Sequence, residues 1–368
     1  MKNKTALLYD YLFSRGGAEK LSMTLTRGVE GCDLIVGMRD VELFPDDDLR
    51  NQGGKLKVLT GYNDRKGWKT LKTMLTFVLN PPDMRDYDNA IYSGEYAPMA
   101  LLRKKARAKR NFLYCHTIPR APYDLYEFKV KQFKGLKKLA FKMMCLLIRL
   151  LYGPSLKHVD LIIANSENVK RRIKNYIGLD SVVINPPIDT ERFKWIDQGD
   201  YYLSTARLEP AKRIATIVEA FKNMPDKKLV VASGGSDYDS LQELAKGYDN
   251  IRFTNWTTDE ELFDLVGNCI ATIYIPVDED FGMSPLESMS AGKPCIGVAE
   301  GGLLETIVDS KTGWLMQEAT PDALVNQVRE VTPELCLSMK ETCIAHAQQY
   351  SDRVFISKIK EKLEANLL

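Results

Sequence analysis

From residue 201 onward, short apolar runs alternate with stretches whose apolar residues recur every three or four positions. YYLSTARL (201–208), KKLVVASGG (227–235), NIRFTNW (250–256), IATIYIP (270–276) and PCIGV (294–298) read as strands. RIATIVEAFKNM (213–224), DSLQELAKGY (239–248), TDEELFDLVGN (258–268), PLESMSAG (285–292), GGLLETIVD (301–309, a turn and helix) and PDALVNQVREV (321–331) read as helices. In the first of these, Ile214, Ile217, Val218 and Phe221 share one face. The strands are apolar throughout rather than alternating, as a sheet covered on both faces requires. Strands alternating with helices of about ten residues predict βαβ units and a parallel sheet.

The first half repeats the theme less regularly. TALLYDYL (5–12), CDLIVGM (32–38), NAIYSG (89–94), RNFLYCH (110–116), VDLIIANS (159–166) and SVVINP (181–186) read as strands, and GGAEKLSMTLTRGV (16–29) as a helix. A second parallel sheet follows. The proline-rich NPPIDTERF (185–193) marks the boundary, giving a first domain of 1–184 and a second of 185–349. The last stretch, 350–368, reads as a lone amphipathic helix expected to pack back on the first domain.

A chain of 368 residues favours two domains over one core. The net charge of +2 hides an asymmetry. Residues 1–185 hold 33 Lys and Arg against 19 Asp and Glu, a balance of +14; the remainder holds 18 against 30, a balance of −12. Two halves of opposite sign point to different partners. The seven cysteines are scattered, without a CxxC pair, and fit a reducing compartment. The three histidines, 116, 158 and 346, lie outside metal-ligand spacing with any cysteine, so no metal site is expected. The N-terminal apolar run suits a buried first strand rather than a signal peptide. No apolar run is read as reaching the roughly 18 residues of a membrane span.

In open parallel sheets ligands bind beyond the carboxyl ends of the strands. The residues there are Gly16 and Gly17, His116, Arg207 with Lys212, Gly234 and Gly235, Glu279 to Ser284, and Gly301 and Gly302. Arg207 and Lys212 place two positive charges on one strand-to-helix turn, suited to a phosphate. EDFGMSPLE (279–287) sets two carboxylates around the start of a helix whose free N–H groups can meet hydroxyls or phosphates. One carboxylate can hold a vicinal diol while the other reaches polar groups at the ligand's far end. A diphosphate linking two sugars, one of them a ribose, has that layout.

The stretches ARLEPAKRI (206–214), EDFGMSPLESMSAGKPCIG (279–297) and EGGLLETIVDSKTGWL (300–315) resemble the donor half of a retaining family 4 glycosyltransferase. SRGGAEKL (14–21), YCHTIPR (114–120), ANSENVKRRI (164–173) and NPPIDTERF extend the likeness over most of the chain, in a flavour similar to bacterial O-antigen mannosyltransferases. The resemblance implies the α/β GT-B fold, two Rossmann-like parallel-sheet domains facing each other across a cleft. It implies that the first domain binds the acceptor and the second a nucleotide sugar. By the same resemblance Arg207 and Lys212 neutralise the donor diphosphate and Glu287 holds the ribose. Glu279 and the backbone of Phe281, Gly282, Met283 and Ser284 hold the donor sugar. Gly16 and Gly17 bring the first domain's backbone to the diphosphate. His116 sits by the reacting carbon, and Arg120 contacts the acceptor. Asn255 stands where such enzymes often carry glycine. The implied reaction moves a hexose, mannose from GDP-mannose, to a lipid-linked saccharide, with no cofactor and no divalent metal. UDP-sugar-dependent transfer is the alternative within the class; a nucleotide-sugar epimerase or phosphorylase, or a non-catalytic membrane-bound partner, are the alternatives outside it.

Residues 99–157 carry fifteen Lys and Arg against two acidic residues. KVKQFKGLKKLAFKMMCLLIRLLY (129–152) mixes lysines with a long apolar run. It reads either as a core helix with a solvated basic face or as a basic amphipathic helix on an anionic membrane. The second reading matches a lipid-linked acceptor and an enzyme peripheral on the cytoplasmic face of the cell membrane. Interleaved aromatics of a base-stacking surface are missing, so nucleic acid is not an expected partner.

Overall fold

A computed structural model describes residues 3–13, 16–46, 53–62 and 68–365. Ser14 and Arg15 of the SRGGAEKL motif, and 366–368 of the C-terminal stretch, lie outside the described residues. The chain divides into two compact units. One runs to Asn185 and takes back the chain from Phe355 on; the other is Pro186–Val354.

The first unit holds strands β1 (Thr5–Leu12), β2 (Asp33–Arg39), β3 (Leu56–Val58), β4 (Asn89–Ser93), β5 (Arg110–Cys115), β6 (Leu161–Ala164) and β7 (Val182–Val183). Its helices are α1 (Gly17–Gly28), α2 (Trp68–Leu79), α3 (Tyr126–Lys131), α4 (Gly135–Leu156) and α5 (Glu167–Ile177). The strands form one parallel sheet in the order β3-β2-β1-β4-β5-β6-β7. Leu8, Ile35, Tyr92 and Leu113 fill the core on one face, and Leu7, Leu34, Ile91 and Phe112 the core on the other. This two-sided burial is why the strand runs are apolar without alternation.

The second unit holds β8 (Tyr201–Ser204), β9 (Lys228–Val231), β10 (Ile251–Phe253), β11 (Thr272–Tyr274), β12 (Cys295–Val298) and β13 (Gly313–Met316). Its helices are α6 (Ile214–Lys222), α7 (Tyr238–Leu244), α8 (Asp259–Asn268), α9 (Met283–Ser290), α10 (Leu303–Thr306), α11 (Pro321–Glu330), α12 (Pro333–Ser338) and α13 (Lys340–Gln348). The parallel order is β10-β9-β8-β11-β12-β13. Thr258 opens α8 by accepting the Glu261 N–H while the Glu261 carboxylate accepts the Thr258 N–H, which satisfies two otherwise orphaned donors. Thr320 and Thr332 cap α11 and α12 ahead of a proline at the first helical position.

In both sheets the winding reverses once, between β1 and β4 and between β8 and β11. Loops leaving such neighbours on opposite sides open a crevice at the strand ends, the usual ligand position in open α/β sheets.

The closing helix α14 (Asp352–Glu364) buries Phe355, Ile359 and Leu363 with the core that contains Leu7 and Phe112. Arg110, opening β5, donates to the carbonyls of Leu363 and Ala365 and so satisfies the end of α14.

Helix α4 changes one sequence reading. Gly135–Leu156 is long and apolar enough, by length and composition, to cross a membrane. Lys137 and Lys138 stand in its first turn, so the charged residues of the stretch after them are Lys142 and Arg149 alone. Phe141, Cys145, Ile148 and Tyr152 nevertheless form a stripe buried within the unit. Leu136, Leu139, Met143, Leu146 and Leu150, spaced by three and four, are exposed.

Candidate active site

In the second unit the crevice between β8 and β11 is closed by an ion pair. Lys212 ends a turn of 3-10 helix (Pro210–Lys212) that follows β8, and Glu279 lies on the loop after β11. Lys212 Nζ stands 2.6 Å from Glu279 Oε2 and 3.2 Å from the hydroxyl of Tyr274, the last residue of β11. Both charged side chains are about four-fifths buried, at 18% and 21% exposure. Burial raises the Tyr274 phenol well above its ordinary pKa, and Glu279 and Glu287 add to this, so Tyr274 stays a neutral hydroxyl. Arg213, beside Lys212, donates to Glu300 Oε1 at 3.0 Å, on the loop after β12, and to the carbonyls of Ile275 and Pro276 after β11.

The loop bearing Glu279 is shaped by glycines. Gly282 has φ +92 and precedes α9, and a Cβ there would lie 2.7 Å from the Leu303 side chain. Without a capping side chain at Gly282, and with Pro285 lacking an N–H, α9 opens on the backbone N–H groups of Met283 and Ser284. Phe281 is buried, so only its backbone is on offer to a ligand. Gly302 donates to the Glu279 carbonyl at 2.8 Å, and a Cβ on Gly302 would lie 2.4 Å from Phe281 Cα. Gly301 and Gly302 are therefore the floor on which the Glu279–Phe281 loop rests. Gly234 and Gly235 do the same for the loop after β8: Leu208 N–H donates to the Gly234 carbonyl at 3.0 Å, and a Cβ on Gly235 would strike the Leu208 carbonyl oxygen at 2.4 Å.

Arg207 is set apart from Lys212. Its side chain is 62% exposed and reaches Glu209 at 3.5 Å. Glu287 stands in the second turn of α9, partly buried, close enough to influence Tyr274. Asn255 has φ +62, the left-handed region in which glycine is the easy choice and asparagine the next.

In the first unit the corresponding crevice of its own sheet, between β1 and β4, is bridged by Asp10. Its buried carboxylate accepts the N–H groups of Glu95 (2.6 Å), Tyr96 (3.0 Å) and Ala97 (2.6 Å). Burial pushes its pKa up to about 7, while the N–H donors pull the other way. Gly94, at φ +108, lies so close that a Cβ would be 2.4 Å from Asp10 Cγ. Gly16 precedes α1 and donates its N–H to Glu19 Oε2 at 3.2 Å; Gly17 is the first residue of the helix.

His116 follows β5, with Nε2 2.9 Å from Ser93 Oγ and its ring edge-on to Tyr9 and Tyr114. Burial lowers its pKa to about 4, so the ring is neutral at pH 7. A consequence is measurable in stability. Below pH 6.5 the unfolded chain gains a proton on this ring that the folded chain refuses, so stability falls as pH falls toward 4. Between pH 7 and pH 5 the wild type should lose about 2 kcal/mol more unfolding free energy than His116→Gln. Parallel urea titrations of the two proteins check this, and equal losses would show an ordinary imidazole.

Arg120 is paired with Asp124 at 2.8 Å, and the buried Arg172 shares the same oxygen at 3.3 Å while donating to Thr117 at 2.9 Å. Arg149 of α4 donates to the Pro122 carbonyl and lies over the Tyr126 ring, which ties this loop to α4. Sequence reasoning missed Tyr274, Arg213, Glu300, Asp10, Ser93 and Asp124. Tyr274 alone carried a visible signal, a polar-tipped residue closing an apolar strand. Among the described residues, no group of three or more His, Cys, Asp or Glu is placed to hold a metal ion.

Residues 187–348 match the family model described as glycosyl transferases group 1. The chain is 33% identical over 203 residues to Alpha-1,3/1,6-mannosyltransferase ALG2 of Dictyostelium discoideum, a match that covers 47% of each protein. It thus spans about half the length of that relative. With the protein of the same name from Candida glabrata it is 25% identical over 379 residues, covering 82% of this chain and 79% of the other. The crystal structure of Anabaena Alr3699/HepE in complex with UDP and glucose superposes with a TM-score of 0.74 at 16% identity, covering 99% of this chain and all of that one. At that identity the likeness is one of fold: two parallel-sheet α/β domains of the GT-B class.

Proposed function

We propose, from the premise that the second unit carries a glycosyl transferases group 1 domain, that this protein is a retaining hexosyltransferase. It moves mannose from GDP-mannose to a lipid-linked saccharide of a surface polysaccharide such as an O-antigen. The observation that carries the reading is the Lys212–Glu279 pair at the reversal point of the second sheet, beside the uncapped start of α9. A diphosphate leaving group develops negative charge as the sugar departs. A largely buried ammonium and a helix start act on such charge without reorganising, which is the largest single contribution in many enzymes. Glu279 holds the ammonium in place and offers its other oxygen to sugar hydroxyls. Glu287 accepts from the ribose. His116, neutral, offers a hydrogen bond on the acceptor side rather than a charge. Choice of mannose is supported by the mannosyltransferase names of the relatives. No divalent metal is required in this reading.

The test is thermal unfolding with GDP, GDP-mannose, UDP, UDP-glucose and CMP, followed by transfer in EDTA. A ligand at 100 times its Kd adds about 2.7 kcal/mol, a shift of several degrees. A shift with GDP and GDP-mannose alone supports the reading. A shift with UDP ligands alone keeps glycosyl transfer and discards mannose. Donor consumption without any acceptor would favour an epimerase or phosphorylase, and loss of transfer in EDTA would reject the metal-free mechanism. The one-bond C1–H1 coupling at the product's anomeric centre reports retention.

The acceptor's lipid gives α4 a role: its exposed stripe lies on the anionic inner face of the cell membrane, flanked by Lys134, Lys137, Lys138 and Lys142. The protein should float with vesicles containing anionic lipid. Leu139→Ser with Met143→Ser and Leu150→Ser should reduce flotation about tenfold or more while leaving nucleotide binding intact. Absence of flotation by the wild type would remove the membrane from the reading.

A further inference from the structure

Ser93 closes β4 and His116 follows β5, and these two strands lie side by side, with Ser93 opposite Tyr114 in the register. The Ser93 side chain is fully buried. Its turn is fixed from the other side, because Asp10 holds the N–H groups of Glu95, Tyr96 and Ala97. Gly94 is pressed against the same carboxylate. The hydroxyl therefore has little freedom to point elsewhere.

A serine hydroxyl has one hydrogen and must spend it on an acceptor. Among the described residues, the hydrogen-bond partner of Ser93 Oγ is His116 Nε2 at 2.9 Å. If Nε2 carried the ring hydrogen, it would donate to Oγ and leave the buried O–H without an acceptor. If Nε2 is bare, the buried O–H donates to it, and the hydrogen on Nδ1 is left to solvent or a ligand, since His116 is only partly buried and Nδ1 is not among the fully buried polar atoms without a partner. An unmet buried donor is the costlier fault. A neutral imidazole carries one N–H, so the hydrogen then resides on Nδ1.

We infer that Ser93 is a positioning residue that holds His116 in its Nδ1–H form and makes it a fixed, neutral hydrogen-bond donor to an oxygen of a saccharide. The saccharide rests on the glycosyl-transfer reading; the form of the ring does not. His116 is thereby a donor and not a general base: the nitrogen that could take a proton is occupied by Ser93.

The experiment is a long-range 15N–1H correlation spectrum of the full chain at pH 7.5. With three histidines in the sequence, the His116 ring is identified by its disappearance in His116→Gln. The expected wild-type pattern is a protonated-type Nδ1 and a bare-type Nε2. Ser93→Ala should shift this pattern toward the other form or a mixture, and Ser93→Thr, which keeps the hydroxyl, should restore it. In transfer assays Ser93→Ala should lower kcat about tenfold with an unchanged KM for the donor. A wild-type ring protonated at Nε2, or a pattern indifferent to Ser93→Ala, overturns the inference. If the ring behaves as expected and no saccharide is transferred by the wild type, the proposed function fails and the tautomer stands. If the ring responds while kcat does not, the positioning role in transfer is overturned.

Discussion

Lys212→Ala should lower kcat/KM for glycosyl transfer by about 10- to 100-fold, the range expected for one charge-assisted contact of roughly 1.5–3 kcal/mol. The lysine is half of a 2.6 Å pair with Glu279, and Tyr274 is its other partner. Removing it leaves a partly buried carboxylate facing the place where a diphosphate would sit, so repulsion adds to the lost attraction. Loss should appear mainly in kcat, because charge on the leaving phosphate grows toward the transition state. Glu279→Ala should cost a similar amount, and the double variant little more than either single one, since each residue orients the other. Arg207→Ala should do less, for its side chain is exposed and bound only to Glu209 at 3.5 Å among the contacts of the described residues. Unchanged kinetics in Lys212→Ala would remove the donor role from this crevice. Losses that simply added in the double variant would show that the pair does not act as a unit.

Gly302→Ala should be worse for the protein than its single methyl suggests. The added Cβ would stand 2.4 Å from Phe281 Cα and 2.7 Å from the Asp280 carbonyl oxygen. Both are backbone atoms, so no side chain can swing away. Overpacking of this kind costs about 1–3 kcal/mol. A domain of this size should then melt roughly 3–10 °C lower. The relief available is for the 279–281 loop to rise, which carries Glu279 off Lys212. The expected result is a lowered Tm together with a loss of transfer exceeding that of Lys212→Ala. Calorimetry and kinetics on the same preparation decide it. A variant that melts lower yet transfers sugar normally would show that the loop is not held by this floor.

Much of the architecture was legible because it rests on one-dimensional pattern. TALLYDYL is strand β1 residue for residue, since eight positions of which all but Tyr11 are buried admit little else in a two-faced sheet. Strand β3 escaped notice because LKV is short and half exposed at the sheet's edge. Helix α5 escaped because Val169 and Ile173 are its main apolar contacts in a basic stretch; the sign was Ser166, which caps it by accepting the Val169 N–H. Glu279, Lys212 and the glycine loops stood out by residue type. Their pairing did not, because Lys212 and Glu279 are 67 residues apart and meet only through the choice of β11 as the neighbour of β8. Ser93 was silent for a related reason. A serine at a strand end has no distinguishing neighbours in sequence, and its partner arrives just past the next strand, 23 residues later.

The return of α14 to the first sheet reverses the order in which the protein can be finished. Phe355, Ile359 and Leu363 complete the core around Leu7, Leu25 and Phe112, yet they are made some 170 residues after Asn185, where the first unit's N-terminal segment ends. At 5–20 residues per second, the ribosome needs roughly 10–30 s to bridge that interval. Throughout it the nascent first unit exposes an apolar face, while the second unit, contiguous from Pro186 to Val354, can close on its own. The half made first is the half that folds last.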